Sequence, residues 1–156
     1  MPDNERGTMR RYLAAAAASA ALVAGIGITT AGSAAADSVG WCNGSTRVSV
    51  GSQFIVQPYH RGTGRVDCTL ARGASGSAVS ALQRALRQCN YAGGLRVDGD
   101  FGPRTEEALK YAQFRRGVVS DGIYGPNTRV ALRWPSYYRS GTATGDCVRS
   151  PSGVRP

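Results

Sequence analysis

Residues able to carry chemistry are few in this 156-residue chain, and they are scattered. The single histidine, His60, stands in Pro58-Tyr59-His60-Arg61, a stretch that matches no hydrolase pattern. To drive acyl transfer it would need a free nucleophile beside it and an acid to orient it. Asp98 and Asp100, with Glu106 and Glu107, form the densest carboxylate group. Such a group could act as acid and base in glycoside cleavage, or as an oxygen-ligand loop for calcium. The four cysteines, Cys42, Cys68, Cys89 and Cys147, never lie within a few residues of one another, so the ligand spacing of a zinc site is missing. The expectation is a protein with no catalytic residue, no metal and no cofactor.

The carboxylates belong to a larger pattern. Asp98-Gly99-Asp100-Phe101-Gly102-Pro103-Arg104-Thr105-Glu106-Glu107-Ala108-Leu109 returns, from Asp121, as Asp121-Gly122-Ile123-Tyr124-Gly125-Pro126-Asn127-Thr128-Arg129-Val130-Ala131-Leu132. Ile123 stands where the first copy has Asp100, so no ligand cluster repeats, whereas Asp98 and Asp121 do repeat and read as turn-stabilising. Gly99 and Gly122 suit positive φ. Gly102 and Gly125 are expected to let the chain pass close to another backbone. Pro103 and Pro126 suit the first position of a helix. Each copy is therefore a tight loop feeding a helix, too short to bury its apolar face alone. Phe101 and Tyr124 share one repeat position; Phe101 is assigned to the core, and Tyr124 is left open between core and surface. Gln83 and Gln113 are expected to brace loop backbone.

The elements that would carry these loops can be read from periodicity. Val79, Leu82, Ala85 and Leu86 define a helix from about Ser77 to Gln88. A second helix starts at Pro103, buries Thr105, Ala108, Leu109 and Ala112, and stops before Gly117, with Arg115 and Arg116 complementing its dipole. A third runs from Pro126 to about Arg133, ended by Pro135. Val97, Phe101, Val118, Ile123 and Tyr124 are expected to enter the core from the loops. Before the helices, Arg47-Val48-Ser49-Val50, the turn signal Gly51-Ser52 and Phe54-Ile55-Val56 predict a hairpin, which alone would be marginal in water. From Ser136 onward the expectation is loop. The predicted fold is thus mainly α, a three-helix bundle with two repeated loop-helix motifs, plus a small disulfide-closed β-like N-terminal extension.

The two loop-helix copies, preceded by Gly73-Ala74-Ser75-Gly76-Ser77-Ala78-Val79-Ser80-Ala81-Leu82-Gln83-Arg84-Ala85-Leu86, resemble the secreted peptidoglycan-binding domain family, a small three-helix cell-wall-binding module. The likeness covers roughly Leu70 to Trp134. It departs from the family where a Phe-Gln pair is usual in the middle helix and this chain has Ala112-Gln113, with flanking Tyr111 and Phe114; either one of these refills the volume or the groove beside it is wider. The resemblance implies binding of bacterial peptidoglycan, in a groove where the loop before helix two approaches helix three. That places Arg104, Tyr124 and Asn127 at the site. Sugar polymers are held by aromatic faces with polar groups, which adds Tyr111 and Trp134. Asp98, Gly99, Phe101, Gly102, Asp121, Gly122 and Gly125 are assigned to loop structure.

The N-terminus reads as an export signal. Arg10-Arg11 precede an Ala-rich apolar run over 12–28, and Ala34-Ala35-Ala36 offer a cleavage site, with Met9 an alternative start. The run falls short of the ~20 apolar residues a membrane-spanning helix needs, and no stable membrane insertion is expected after cleavage. Four cysteines beyond that point suggest two disulfides in an exported protein. Three pairings are open, of which Cys42–Cys68 and Cys89–Cys147 are preferred. From Asp37 onward sixteen basic residues, fifteen of them Arg, face eight acidic ones, a net charge of +8. Such a protein is drawn to anionic wall polymers; nucleic acid is disfavoured by the export signal and the cysteines. The organisation expected is signal peptide 1–36, extension 37–69, binding domain 70–135 and tail 136–156, in a secreted or wall-associated monomer whose flanking segments leave no room for a separate catalytic domain. Two rivals are a secreted interaction or inhibitor module using the bundle as scaffold, and a minimal hydrolase using His60.

Overall fold

A computed structural model describes residues 39–153; the predicted signal segment 1–36 lies outside them. The elements run β1 (Gly44–Val50), β2 (Gln53–Tyr59), α1 (Ser77–Cys89), α2 (Pro103–Arg116), α3 (Pro126–Ala131), β3 (Arg133–Tyr138) and β4 (Ala143–Arg149). The mainly-α prediction is overturned. A four-stranded antiparallel sheet in the order β1-β2-β3-β4 accompanies three short helices, so the architecture is α+β.

The predicted hairpin is present. Val50 faces Gln53 across the two-residue Gly51-Ser52 turn, and Gly51, at φ 59°, takes the first turn position that favours glycine. It persists because it is not isolated. Val48 and Ile55 join a core with Val79, Leu82, Leu86, Leu109, Leu132 and Trp134, and Cys42 is bridged to Cys68.

The segment expected to be tail supplies the other half of the sheet. Leu132 leaves α3 with ψ 157°, and Arg133 to Tyr138 continue as β3, so Pro135 lies inside a strand instead of ending a helix. Pairing of β2 with β3 runs from Gln53–Tyr138 to Ile55–Ser136 and stops one residue short of Pro135, which has no N–H to donate. β4 returns along β3, interrupted between Pro135 and Tyr137, and Gly145 takes a φ of 86° in the irregular stretch. Cys147 on β4 is bonded to Cys89 at the end of α1.

Buried Asn90 joins the helices to the sheet. Its amide donates to the carbonyls of Ala85 (2.7 Å) and Arg133 (2.8 Å), while its carbonyl accepts from the Arg133 backbone N–H and from Arg116. A second polar bridge ties β2, α3 and the C-terminal end: Arg129, only 3 % exposed, donates to Ser150 and Asp67, and Ser150 donates to Gln57. The extension, the helical segment and the tail thus share one core.

Helix ends follow local chemistry. Pro103 and Pro126 open α2 and α3, and Gly117 closes α2 in the left-handed conformation. Gly102 and Gly125 serve as N-caps, but no atom comes within 4 Å of a Cβ built on either, so the expected close backbone approach is absent. Of the loop residues assigned to the core, Phe101 and Tyr124 are buried and Ile123 is exposed. Neither neighbour of Ala112 refills the volume of the missing Phe: Phe114 is 71 % and Tyr111 47 % exposed.

Candidate functional site

The two repeat loops are held by the same hydrogen-bond bracket. In the first, the Gln83 amide donates to the Asp98 carboxylate (2.8 Å), the Asp100 carbonyl (3.0 Å) and the Thr105 hydroxyl (3.0 Å), and its carbonyl accepts from the Gly99 N–H (2.9 Å). In the second, Gln113 donates to Asp121 (2.8 Å), the Ile123 carbonyl (2.9 Å) and Thr128 (3.0 Å), and accepts from Gly122 (2.9 Å). Gly99 and Gly122 have φ of 82° and 75°. Both glutamines are buried, so every polar atom they carry must find a partner inside the protein. The Asp98 carboxyl is held below the usual carboxylate range, first by the Asp100 N–H and then by Gln83. These residues are scaffold.

The first bracket sets the start of α2 against the α1–α2 loop, and a groove of about 350 Å³ opens between them. Arg104, Glu107, Ala108 and Tyr111 of α2 form one wall and Tyr91 to Leu95 the other. Arg104 and Tyr111 stand seven residues apart and so share a helix face. A second depression, lined by Leu95, Arg96, Asp98, Asp100 and Gly102 to Thr105, adjoins the groove through Leu95 and Arg104.

Tyr91 sits in this groove with φ 70°, a left-handed conformation that costs a side-chain-bearing residue about 1–2 kcal/mol. Arg115 lies over its ring at 4.3 Å and Arg116 at 5.3 Å. Tyr111 meets it edge to face at 6.2 Å and accepts a 2.8 Å hydrogen bond from Arg115. Two aromatic rings about half exposed are thereby pinned in place, with their entropy already lost before any ligand arrives.

The structure brings together only two of the five predicted binding residues, Arg104 and Tyr111. Tyr124 and Trp134 are corrections: both are fully buried, packed edge to face at 6.2 Å, and the Trp134 indole donates to the Arg129 carbonyl. Burial pushes the Tyr124 hydroxyl far up from its ordinary pKa. Asn127 is exposed but lines other grooves, with Arg115, Arg116 and Arg149 on one side and Arg65 and Asp67 on the other. Tyr91, the Gly93-Gly94 loop and Glu107 were missed. The available signal was a tyrosine one residue short of a glycine pair, just past the end of a predicted helix.

His60 lies in the turn after β2, where its ring contacts Thr63. Among the described residues no group of three or more His, Cys, Asp and Glu side chains is placed to hold a metal ion. The groove offers aromatic surface, a guanidinium and a carboxylate on a fixed frame, which suits a polar polymer with sugar or peptide groups. No curated protein matches the chain. Residues 75–132, the segment that builds both brackets and the α2 wall of the groove, match the family model described as "Putative peptidoglycan binding domain".

Proposed function

We propose that this is an exported, non-catalytic protein that binds cell-wall peptidoglycan through the groove of Tyr91, Arg104, Glu107 and Tyr111. The observation carrying the reading is the pair of half-exposed tyrosines, pinned by Arg115, inside the segment that matches the family. Aromatic rings bury large area at low entropic cost, and a sugar ring or stem-peptide side chain can stack there. Arg104 is suited to a peptide carboxylate and Glu107 to hydroxyl or amide donors. The two disulfides suit an oxidising compartment, in keeping with a signal peptide at 1–36. The binding domain takes the family segment as its centre, and the sheet hairpins act as its support.

The test is retention on purified peptidoglycan stripped of anionic polymers. Wild-type protein should be retained at a few hundred millimolar NaCl, because stacking and shaped hydrogen bonds outlast the screening of bare charge over ~8–10 Å. Tyr111→Ala should lose retention about tenfold or more. Release of wild type by moderate salt, or full retention of Tyr111→Ala, would refute the assignment.

A further inference from the structure

On the far side of Arg115 and Arg116 lies another groove, about 560 Å³, lined by Arg115, Arg116, Arg149, Asn127 and the small apolar residues Val118, Val130 and Ala131. No carboxylate lines it, and none of its three arginines enters an ion pair among the described residues. We infer that this groove is a binding site for a phosphodiester-linked polyol polymer, separate from the aromatic groove.

Two of the guanidiniums are already positioned. Arg116 spends Nε and one terminal nitrogen on Asn90 and the Cys89 carbonyl, which leaves its other terminal nitrogen unpartnered. Arg115 spends one terminal nitrogen on Tyr111. Arg149, exposed near the end of β4, makes no side-chain hydrogen bond among the described residues. An anion entering here meets two donors already held, with Arg149 alone left to be ordered, so less rotamer entropy is lost on binding than with three unrestrained side chains.

The chemistry of the anion follows from number and lining. One carboxylate is matched by a single bidentate guanidinium; three guanidiniums suit an anion with several equivalent oxygens, repeated along a chain. The negative end of the α2 dipole amounts to about half a charge and is outweighed by the three cations. Nucleic acid presents the same phosphodiester, but single-strand binding relies on aromatic platforms for the bases, and this lining has none. Asn127 and Val130 continue into the next depression, where Arg65 stands beside Asp67 and Arg129. That gives a repeating polymer a longer track.

The experiment titrates the protein from Asp37 onward with a glycerol phosphate oligomer, with polyglutamate and with oligothymidylate, all of equal charge. The glycerol phosphate oligomer should bind at least tenfold more tightly than either competitor. Arg149→Ser should weaken it about tenfold and Arg149→Lys by less, since lysine keeps the charge and loses the fork. Both variants should keep the wild-type melting temperature and full retention on phosphate-free peptidoglycan. Equal binding of polyglutamate, tighter binding of oligothymidylate, or an Arg149→Ser variant that binds like wild type would each overturn the proposal. Loss of the aromatic-groove reading would show separately, as Tyr111→Ala still retained on phosphate-free peptidoglycan.

Discussion

The two copies of the repeated phrase share an internal bracket and have different outer surroundings. Gln83 and Gln113 make the same four contacts to their loops. The first loop nevertheless feeds a 14-residue helix that forms one wall of the aromatic groove, and the second feeds a 6-residue helix that turns into β3. Phe101 is held by backbone bonds to Ala74 and Gly73, whereas Tyr124 pairs with Leu70 and packs on Trp134 beneath the sheet. Within each phrase the aspartate accepts from the N–H two residues on and the threonine hydroxyl donates to a carbonyl five residues back, so the turn recurs wherever the phrase occurs. What the adjoining helix presents to solvent depends on its neighbours.

Removing the braces is the strongest way to break this comparison. Gln83→Ala and Gln113→Ala each strand a buried glycine N–H and the polar groups around it, at about 1–3 kcal/mol per buried group left unsatisfied. Each variant should lose roughly 3 kcal/mol or more in chemical denaturation, and by similar amounts. A loss more than twice as large in one copy would mean that the brackets are alike in geometry and unlike in energy.

Next in size come the glycines. A Cβ on Gly122 would lie 2.8 Å from side-chain carbons of both Glu106 and Lys110, while on Gly99 it would meet the Ser80 hydroxyl at 3.0 Å. Both positions carry positive φ, so valine at either should cost roughly 1–3 kcal/mol, with Gly122→Val the more damaging. Thermal melting of the two variants decides the order.

Arg104 and Asn127 occupy the same repeat position and are both exposed. Alanine at either should leave stability within about 0.5 kcal/mol. Only Arg104→Ala should reduce retention on phosphate-free peptidoglycan, because Asn127 faces other grooves. Equal losses would place the polymer across both copies.

The smallest effect concerns pH. Because the Asp98 carboxyl is held low by the Asp100 N–H and Gln83, and Glu106 by Lys110 and Arg72, the folded state binds protons less readily than the unfolded one. Their contribution is present above the unfolded values of about 3.9 and 4.3 and is lost as pH falls through the lower folded values. Denaturation midpoints should therefore drop below about pH 4, and Asp98→Asn should flatten part of that limb. An unchanged acid limb would show that the Asp98 hydrogen bonds do not favour its ionised form.

Much of the helical segment was legible from residue types. Proline at the first helical position, glycine after Arg115-Arg116 and the apolar spacing of Val79, Leu82 and Leu86 each act within a turn or two, as does Gly51-Ser52 in the hairpin. Of the site, Arg104 and Tyr111 were within reach because they lie on the family-like helix. Tyr91 was not, since it lies outside the helices and its ring meets Arg115 and Arg116 of another helix only in the folded protein.

By itself the amino-acid sequence determined the turns of the repeated loops, the helix starts and the first hairpin, because in each the decisive contacts lie a few residues apart, as from the Asp98 and Asp121 carboxylates to the N–H two residues on. Tertiary structure alone decided that the tail would become strands. Ala143 to Arg149 shows no alternation of buried and exposed residues and acquires its register from β3, which is aligned in turn by β2 some eighty residues earlier. It also decided the fate of Tyr124 and Trp134, two residues of the types that bind sugars. β3 pairs with β2 and carries Trp134 into the core, where Tyr124 packs against it; an aromatic ring binds a ligand only where folding leaves part of it in water.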